Sequence, residues 1–447
     1  SLPVLATPAL VAMMEHAAVN ALKGRLPEGI DSVGVAIRVE HLAASPVGMT
    51  VRAEAVLTAS DGRSYDFAIE AYDAKGLVGR ATHRRATVKV DKFLQRAQAR
   101  LGDRSKRRPH MDTKLDVLTL GEVMLRLSPP RHEKLQKGLL LEKSAAGAEL
   151  NVAAGLAQLG LSAAIATKLP DNDLSRFVLA QARAAGVRDD AVVFDRSNAA
   201  RLGVYYYEGA SAPRKPAVIY DRRASSVNSL TPDEVPRALY GSCRLFHTTG
   251  ITLGLGGQAQ DTAIELIRRA RIAGCKISFD VNYRANLWDD QEARAVIEPL
   301  LPLFDVLFIS EETARRMFRR QGALQDIMAG FSHTYGIGII ATTACTVLSP
   351  THHTFTSTVY DAARNEFFTE APYDIDVVDR VGSGDAFVAG ALYGLLRHGS
   401  ALKAMAYGNA MAACKCTVAG DLPSTSLTEI DKLIAQHAEG GGGEMDR

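Results

Sequence analysis

The chain has 447 residues, too many for one ordinary domain, so two or three are expected. Hydrophobic residues make up 47% and charged residues 23%, which suits globular protein able to bury full cores. A formal net charge of +2 gives no support to nucleic acid or an anionic membrane as a general partner, and no apolar run reaches the ~18–20 residues of a membrane span.

Cys243, Cys275, Cys345, Cys414 and Cys416 have neither metal-ligand spacing nor an even disulfide framework, which fits reduced thiols in a cytoplasm. No signal peptide is visible, and the chain opens on Ser1 rather than Met, leaving room for an upstream segment.

In the first stretch, Thr7 is placed as a helix cap and Pro8 at the first helical position, with Gly24, Pro27 and Gly29 ending the helix. Alternating runs follow at 33–41, 49–59, 64–72 and 77–90, broken by Pro46-Val47-Gly48, Asp61-Gly62 and Lys75-Gly76. An antiparallel meander packed on one long helix is the expected arrangement.

Residues 1–97 resemble the hotdog-fold thioesterases, most closely the group that includes fluoroacetyl-CoA thioesterase. The likeness runs through Ala6-Thr7-Pro8, Glu15, Ser32-Val33-Gly34, the string from His41 to Gly48, and Thr82-His83-Arg84-Arg85. It implies an α+β hotdog domain in which Thr7, Glu15 and His41 form a hydrolytic site, with Gly34 beside the thioester carbonyl of an acyl-CoA. Thr7 and Glu15 stand two turns apart and share one helix face. A plainer account also covers these residues: Thr7 as a cap, and Glu15 and His41 as solvated side chains. The opening strand of that family is absent, which would leave a sheet edge open. Domains of this kind pair, so the resemblance also implies a homo-oligomer.

Residues 98–114 are polar and basic, with Arg104, Lys106, Arg107 and Arg108 but no interleaved aromatics. A solvated linker is expected there, not a nucleic-acid patch. Met111 falls where a free-standing second protein would begin.

From 115 to 438 strand and helix signals alternate: helix 149–159, strand 163–168, helix 174–185, strand 245–249, helix 258–273, and strands 276–280 and 306–310. Such alternation predicts a mainly parallel sheet covered by helices, with ligands beyond the carboxyl ends of its strands. The turn Asp379-Arg380-Val381-Gly382-Ser383-Gly384-Asp385 then opens an apolar helix. Unpaired amides and the helix dipole suit that turn to an anion, and the same dipole is expected to keep Asp385 ionised as a base. No P-loop string occurs. Residues 439–447 read as a flexible, glycine-rich tail.

The stretch from Ala146 to Gly160 and the turn from Asp379 to Asp385 look like the two signatures of the PfkB sugar kinases. The strings from Gly121 to Pro130 and from Asp280 to Trp288 narrow the resemblance to the 2-keto-3-deoxygluconate kinases. It implies a ribokinase-like α/β fold with a small β lid, and ATP-dependent, Mg2+-assisted phosphorylation of the keto acid at its terminal hydroxyl. In that pattern Asp385 is the base and the backbone of Gly382, Ser383 and Gly384 the anion hole. Gly147, Tyr205, Tyr220, Arg222 and Arg284 would bind the sugar acid, Arg284 at its carboxylate, while Thr343 and Asn409 would meet the nucleotide.

The chain departs from this family at three places. The N-x-x-E string tied to the metal reads Ser310-Glu311-Glu312-Thr313, the Thr-x-Gly nucleotide loop reads Thr343-Ala344-Cys345, and the Gly-Gly near the sugar is Ala146-Gly147. Competing readings are a kinase for a neutral sugar such as fructose or ribose, and an acyl-CoA thioesterase whose kinase half is impaired.

Overall fold

A computed structural model describes residues 4–90 except 28, and 115–439 except 131, 132 and 212. The chain forms two units, 1–109 and 110–447. The expected linker at 98–114 and glycine-rich run 440–447 lie outside the described residues. No helix among the described residues is long and apolar enough to cross a membrane.

In the first unit, helix α1 (Thr7–Leu22) buries Leu10, Met14, Ala18 and Leu22, a four-residue spacing that puts all of them on one face. That face packs on Phe67, Ile69, Ala71, Val78 and Ala81 of an antiparallel sheet. The strands are β1 (Ile30–His41), β2 (Arg52–Ser60), β3 (Ser64–Asp73) and β4 (Gly76–Lys89), in the order β1-β4-β3-β2. The expected meander therefore holds for β2, β3 and β4 only. β1 pairs with β4, Val33 opposite Ala86, because the connection after His41 carries the chain to the far edge of the sheet. A second difference is at the helix start. Ala6 is the cap and makes no side-chain bond, whereas Thr7 is the first helical residue and its hydroxyl meets His41.

The second unit is built on a ten-stranded sheet in the order β17-β16-β15-β14-β13-β12-β5-β8-β9, where β17 is Glu366–Thr369 and β16 is His352–Asp361, with β18 (Tyr373–Asp376) beside β16. Its parallel part comprises β15 (Ile339–Ser349), β14 (Val306–Phe308), β13 (Lys276–Asp280), β12 (Leu245–Thr249), β5 (Val117–Leu120), β8 (Ala163–Pro170) and β9 (Val192–Asp195). β5 and β12 are buried along their whole length, as strands of a sheet covered on both faces are, with Thr119, His247, Thr248 and Thr249 the polar residues among them. Two apolar cores result, one around Leu150, Leu156, Phe387 and Met411, the other around Phe246, Leu266, Phe279 and Phe331. A separate four-stranded sheet, order β11-β10-β6-β7, forms the lid: β6 (Met124–Ser128), β7 (Glu142–Ala146), β10 (Gly203–Glu208) and β11 (Ala217–Asp221).

Helices α2 (Ala148–Gln158), α3 (Ser383–His398) and α4 (Ala401–Cys416) carry or support the site. α3 and α4 meet backbone to backbone. A Cβ at Gly390 would lie 2.2 Å from the Tyr407 carbonyl oxygen, and one at Gly394 would lie 2.5 Å from the Ala404 amide nitrogen.

Two local expectations change. The strand predicted at 306–310 ends at Phe308, and Ser310 caps the next short helix by accepting from the Thr313 amide. Thr342 to Cys345 do not form a loop. They continue β15, paired with Thr358 through Phe355 of β16 (His352–Asp361), so the missing glycine falls where no turn is made.

Candidate active site

The carboxyl end of β13, the turn before α3 and the lid edge converge on one cavity of about 810 Å3. Tyr220, Asp280, Asn282, Arg284, Thr343, Arg380, Gly382, Ser383, Gly384 and Asp385 all line it. Asp280, Ser310 and the Gly382 turn, from three different parts of the chain, all line this cavity.

Gly382 has φ 84° and caps α3. That left-handed backbone suits glycine, and a Cβ there would lie 2.4 Å from the Asp421 carbonyl oxygen. The Ser383 amide turns back to the Arg380 carbonyl at 3.2 Å, and the Ala386 amide starts the helix on Gly382. Gly384 is exposed, with open space where a side chain would be. The turn thus presents a helix N-terminus to the cavity, the feature that holds anions elsewhere.

Asp385 receives Asn151 Nδ2 on Oδ2 at 2.7 Å and Asn282 Nδ2 on Oδ1 at 3.5 Å. Burial pushes its carboxyl up to about 8; the Asn151 bond and Arg284 oppose this, and the carboxylates of Asp280 and Glu149 add to it. The expectation of a carboxylate kept ionised by the helix dipole is therefore overturned. Desolvation there favours the protonated form. Asp280 is likewise raised to about 6, chiefly by burial. Glu149, also raised by burial, accepts Thr249 Oγ1 at 2.7 Å and Thr252 Oγ1 at 2.6 Å.

The other expected ligands divide. Tyr220 and Arg284 line the cavity, and Arg284 donates to the neighbouring Tyr283 carbonyl at 3.1 Å. Arg222 is paired with the buried Glu122 carboxylate. Gly147 caps α2 at φ 144°, where a Cβ would meet the Glu122 carbonyl oxygen at 2.3 Å. Tyr205 gives its hydroxyl to Asp421 at 2.6 Å. Asn409 is fully buried and donates to Glu370 at 2.7 Å. Sequence reasoning named no role for Asn151 and Asn282, although both stand inside the quoted motifs, two residues after Glu149 and Asp280.

In the first unit, Thr7 Oγ1 and His41 Nδ1 are 3.0 Å apart, and the buried His41 Nε2 has no partner among the described residues. Glu15 is not bonded to that pair. Its carboxylate lies 3.4 Å from Arg85, and a Cβ on Gly34 would fall 2.6 Å from Glu15 Oε1 and 3.0 Å from His83 Cε1. Arg85, buried, also donates to Ser32 Oγ at 3.0 Å and to its carbonyl at 2.7 Å. Thr7 with His41 and Glu15 with Gly34 are thus two neighbourhoods of one helix face, and Arg85 and His83 join the second.

The model of the pfkB family carbohydrate kinases matches residues 114–427, and that of the fluoroacetyl-CoA-specific thioesterases residues 1–91. The chain is 36% identical over 332 residues to a 2-dehydro-3-deoxygalactonokinase of Haloferax volcanii, covering 74% of this chain and 99% of that one. Identity to a Bacillus subtilis 2-dehydro-3-deoxygluconokinase is 29% over 330 residues, covering 71% and 94%. The structure of the Thermotoga maritima 2-dehydro-3-deoxygluconokinase superposes with TM-score 0.69 at 32% identity, over 72% of this chain and 98% of that one. With its signature turn, its lid sheet and a family match over most of its length, this chain belongs to the pfkB family of carbohydrate kinases.

Proposed function

We propose that the second unit phosphorylates 2-keto-3-deoxygluconate, or its galactonate epimer, at the terminal hydroxyl, using ATP. The observation that carries this reading is the placement of Asp385, the Gly382–Gly384 turn and the exposed Arg284 guanidinium on the wall of one cavity. Arg284 holds the substrate carboxylate, for which a planar two-pronged donor is suited. Tyr220 covers the sugar from the lid. Asp385, oriented by Asn151 and Asn282, takes the hydroxyl proton as the oxygen attacks. The turn at the start of α3 faces the charge that develops on the transferred phosphoryl group. Arg380, exposed on the same wall, adds a cation there, and Thr343 borders the nucleotide.

PfkB kinases use ATP with Mg2+. Among the described residues no cluster of three His, Cys, Asp or Glu side chains could hold a metal ion. Ser310 and Thr313 are bonded to each other at 2.8 Å. Ser310 and Thr313 do not fit a protein-held metal.

The test is ADP release from ATP and Mg2+ with 2-keto-3-deoxygluconate, its galactonate epimer, gluconate, fructose and ribose. Turnover confined to the keto acids is expected. Preference for fructose or ribose would replace the sugar acid with a neutral sugar, and no turnover would remove the kinase reading.

A second activity rests on the Thr7–His41 pair at 3.0 Å in the first unit. In a hotdog domain that pair would hydrolyse an acyl-CoA thioester. Thiol release from short acyl-CoAs, lost in His41→Ala, is its test.

A further inference from the structure

Five buried side chains behind the cavity wall form a network that the phosphoryl-transfer scheme leaves unused. Arg126 and Tyr205 are register neighbours on β6 and β10 of the lid sheet. Arg126 reaches Asp421 at 2.7 Å and Asp379 at 2.6 Å, and its guanidinium lies 4.3 Å from the Tyr207 ring centroid. The Tyr205 hydroxyl donates to the same Asp421 carboxylate at 2.6 Å. From the other side, the Lys415 ammonium donates to the Asp379 carbonyl at 3.0 Å and to the Val418 carbonyl at 3.3 Å. Arg126, Tyr205, Asp379, Lys415 and Asp421 are each no more than 5% exposed. Two cations and two carboxylates balance, as buried charges must if they are to stay charged.

What this network touches is the anion-hole turn. Asp379 is its first residue, and its carboxylate accepts the Val381 amide at 3.0 Å and the Gly420 amide at 3.2 Å. Asp421 supplies the carbonyl oxygen against which Gly382 is seated. A rotation of the Asp379 carboxylate would release the Val381 amide, and a shift of Asp421, held through its carboxylate by Arg126 and Tyr205, would move the carbonyl on which Gly382 rests. We infer that Arg126 and Tyr205 are positioning residues that fix the anion-hole turn from the lid sheet, through Asp379 and Asp421. Tyr205 on this view serves turnover and not sugar binding. The inference deepens the kinase reading and rests on it for its kinetic arm only.

The test compares the full chain with Tyr205→Phe and Arg126→Lys. Tyr205→Phe keeps the ring and loses the hydroxyl; Arg126→Lys keeps the charge and loses the two-pronged contact. One readout is kcat and KM for whichever sugar acid the parent phosphorylates. The other is amide hydrogen exchange over residues 379–385, which needs no activity. Both variants should lower kcat roughly tenfold, as expected when a charge-assisted bond that positions a reacting group is lost, and leave the KM for the acid within about twofold. Exchange over the turn should rise in both. A raised KM with unchanged kcat in Tyr205→Phe would make it a substrate contact and overturn the inference. Unchanged exchange would also overturn it, reducing the network to packing. A parent without sugar-kinase activity would sink the proposed function alone, because the exchange arm still decides the positioning role.

Discussion

Replacing Asp385 by Asn should remove activity and stabilise the second unit, by amounts that follow from its burial. In the folded chain the carboxyl titrates at about 8, against an ordinary value of 3.8. Between these values the unfolded chain is ionised while the folded chain keeps its proton. Folding then takes up a proton, and the parent loses stability as pH rises, by at most about 1.4 kcal/mol per pH unit. Asn does not titrate, so Asp385→Asn should gain on the parent by up to ~2–3 kcal/mol between pH 6 and 8. Solvent reaching the carboxyl through the cavity screens the effect and makes that figure an upper bound. The one tryptophan, Trp288, is buried in the second unit, so its fluorescence during urea unfolding follows this unit without interference from the other. In the same variant kcat should fall by ~10²–10⁴, the loss expected for a general base. Stability curves of parent and variant that run parallel from pH 6 to 8 would refute the raised titration. Near-normal turnover would refute the catalytic role.

The acid limb of kcat/KM should lie near pH 8 in the parent, and Asp280→Asn, which removes a neighbouring negative charge, should move it to lower pH. A limb that stays in place would mean the two carboxylates do not interact. Arg284→Ala should weaken keto-acid use roughly ten- to a hundredfold, the value of a charge-assisted bond of ~1.5–3 kcal/mol, and parental efficiency in that variant would reject its carboxylate contact. His41→Ala should abolish thiol release from acyl-CoA without changing ADP production, and hydrolysis at the parental rate would dismiss the Thr7–His41 site.

Much of the second unit could be read directly from its residues. The strands expected at 245–249 and 276–280 are found at those bounds as β12 and β13, and the glycine-rich turn before an apolar helix is found at the start of α3. Those signals are local. What stayed hidden depends on neighbours distant in the chain. Nothing near Asp385 in sequence announces that it is buried beside Asp280 and Glu149, which raises its titration, or that Asp421 claims the Tyr205 hydroxyl. β1 and β2 follow one another in the chain, so pairing them was the natural expectation; only the tertiary route reveals β4 between β1 and β3. Thr7 had two possible partners, its own helix amides and His41, and a cap rule weighs only the first.

The close seam between α3 and α4 has a consequence for how this kinase can change. A side chain that intrudes on another side chain can rotate, but at Gly390 and Gly394 the obstacle is backbone, so one whole helix must slide. α3 carries Asp385 in its first turn, and a slide of the helix is delivered to that carboxylate. The position of Asp385 is therefore gauged by two absent methyl groups further along the helix. Sequence drift along that seam would spare the fold while it detuned the chemistry.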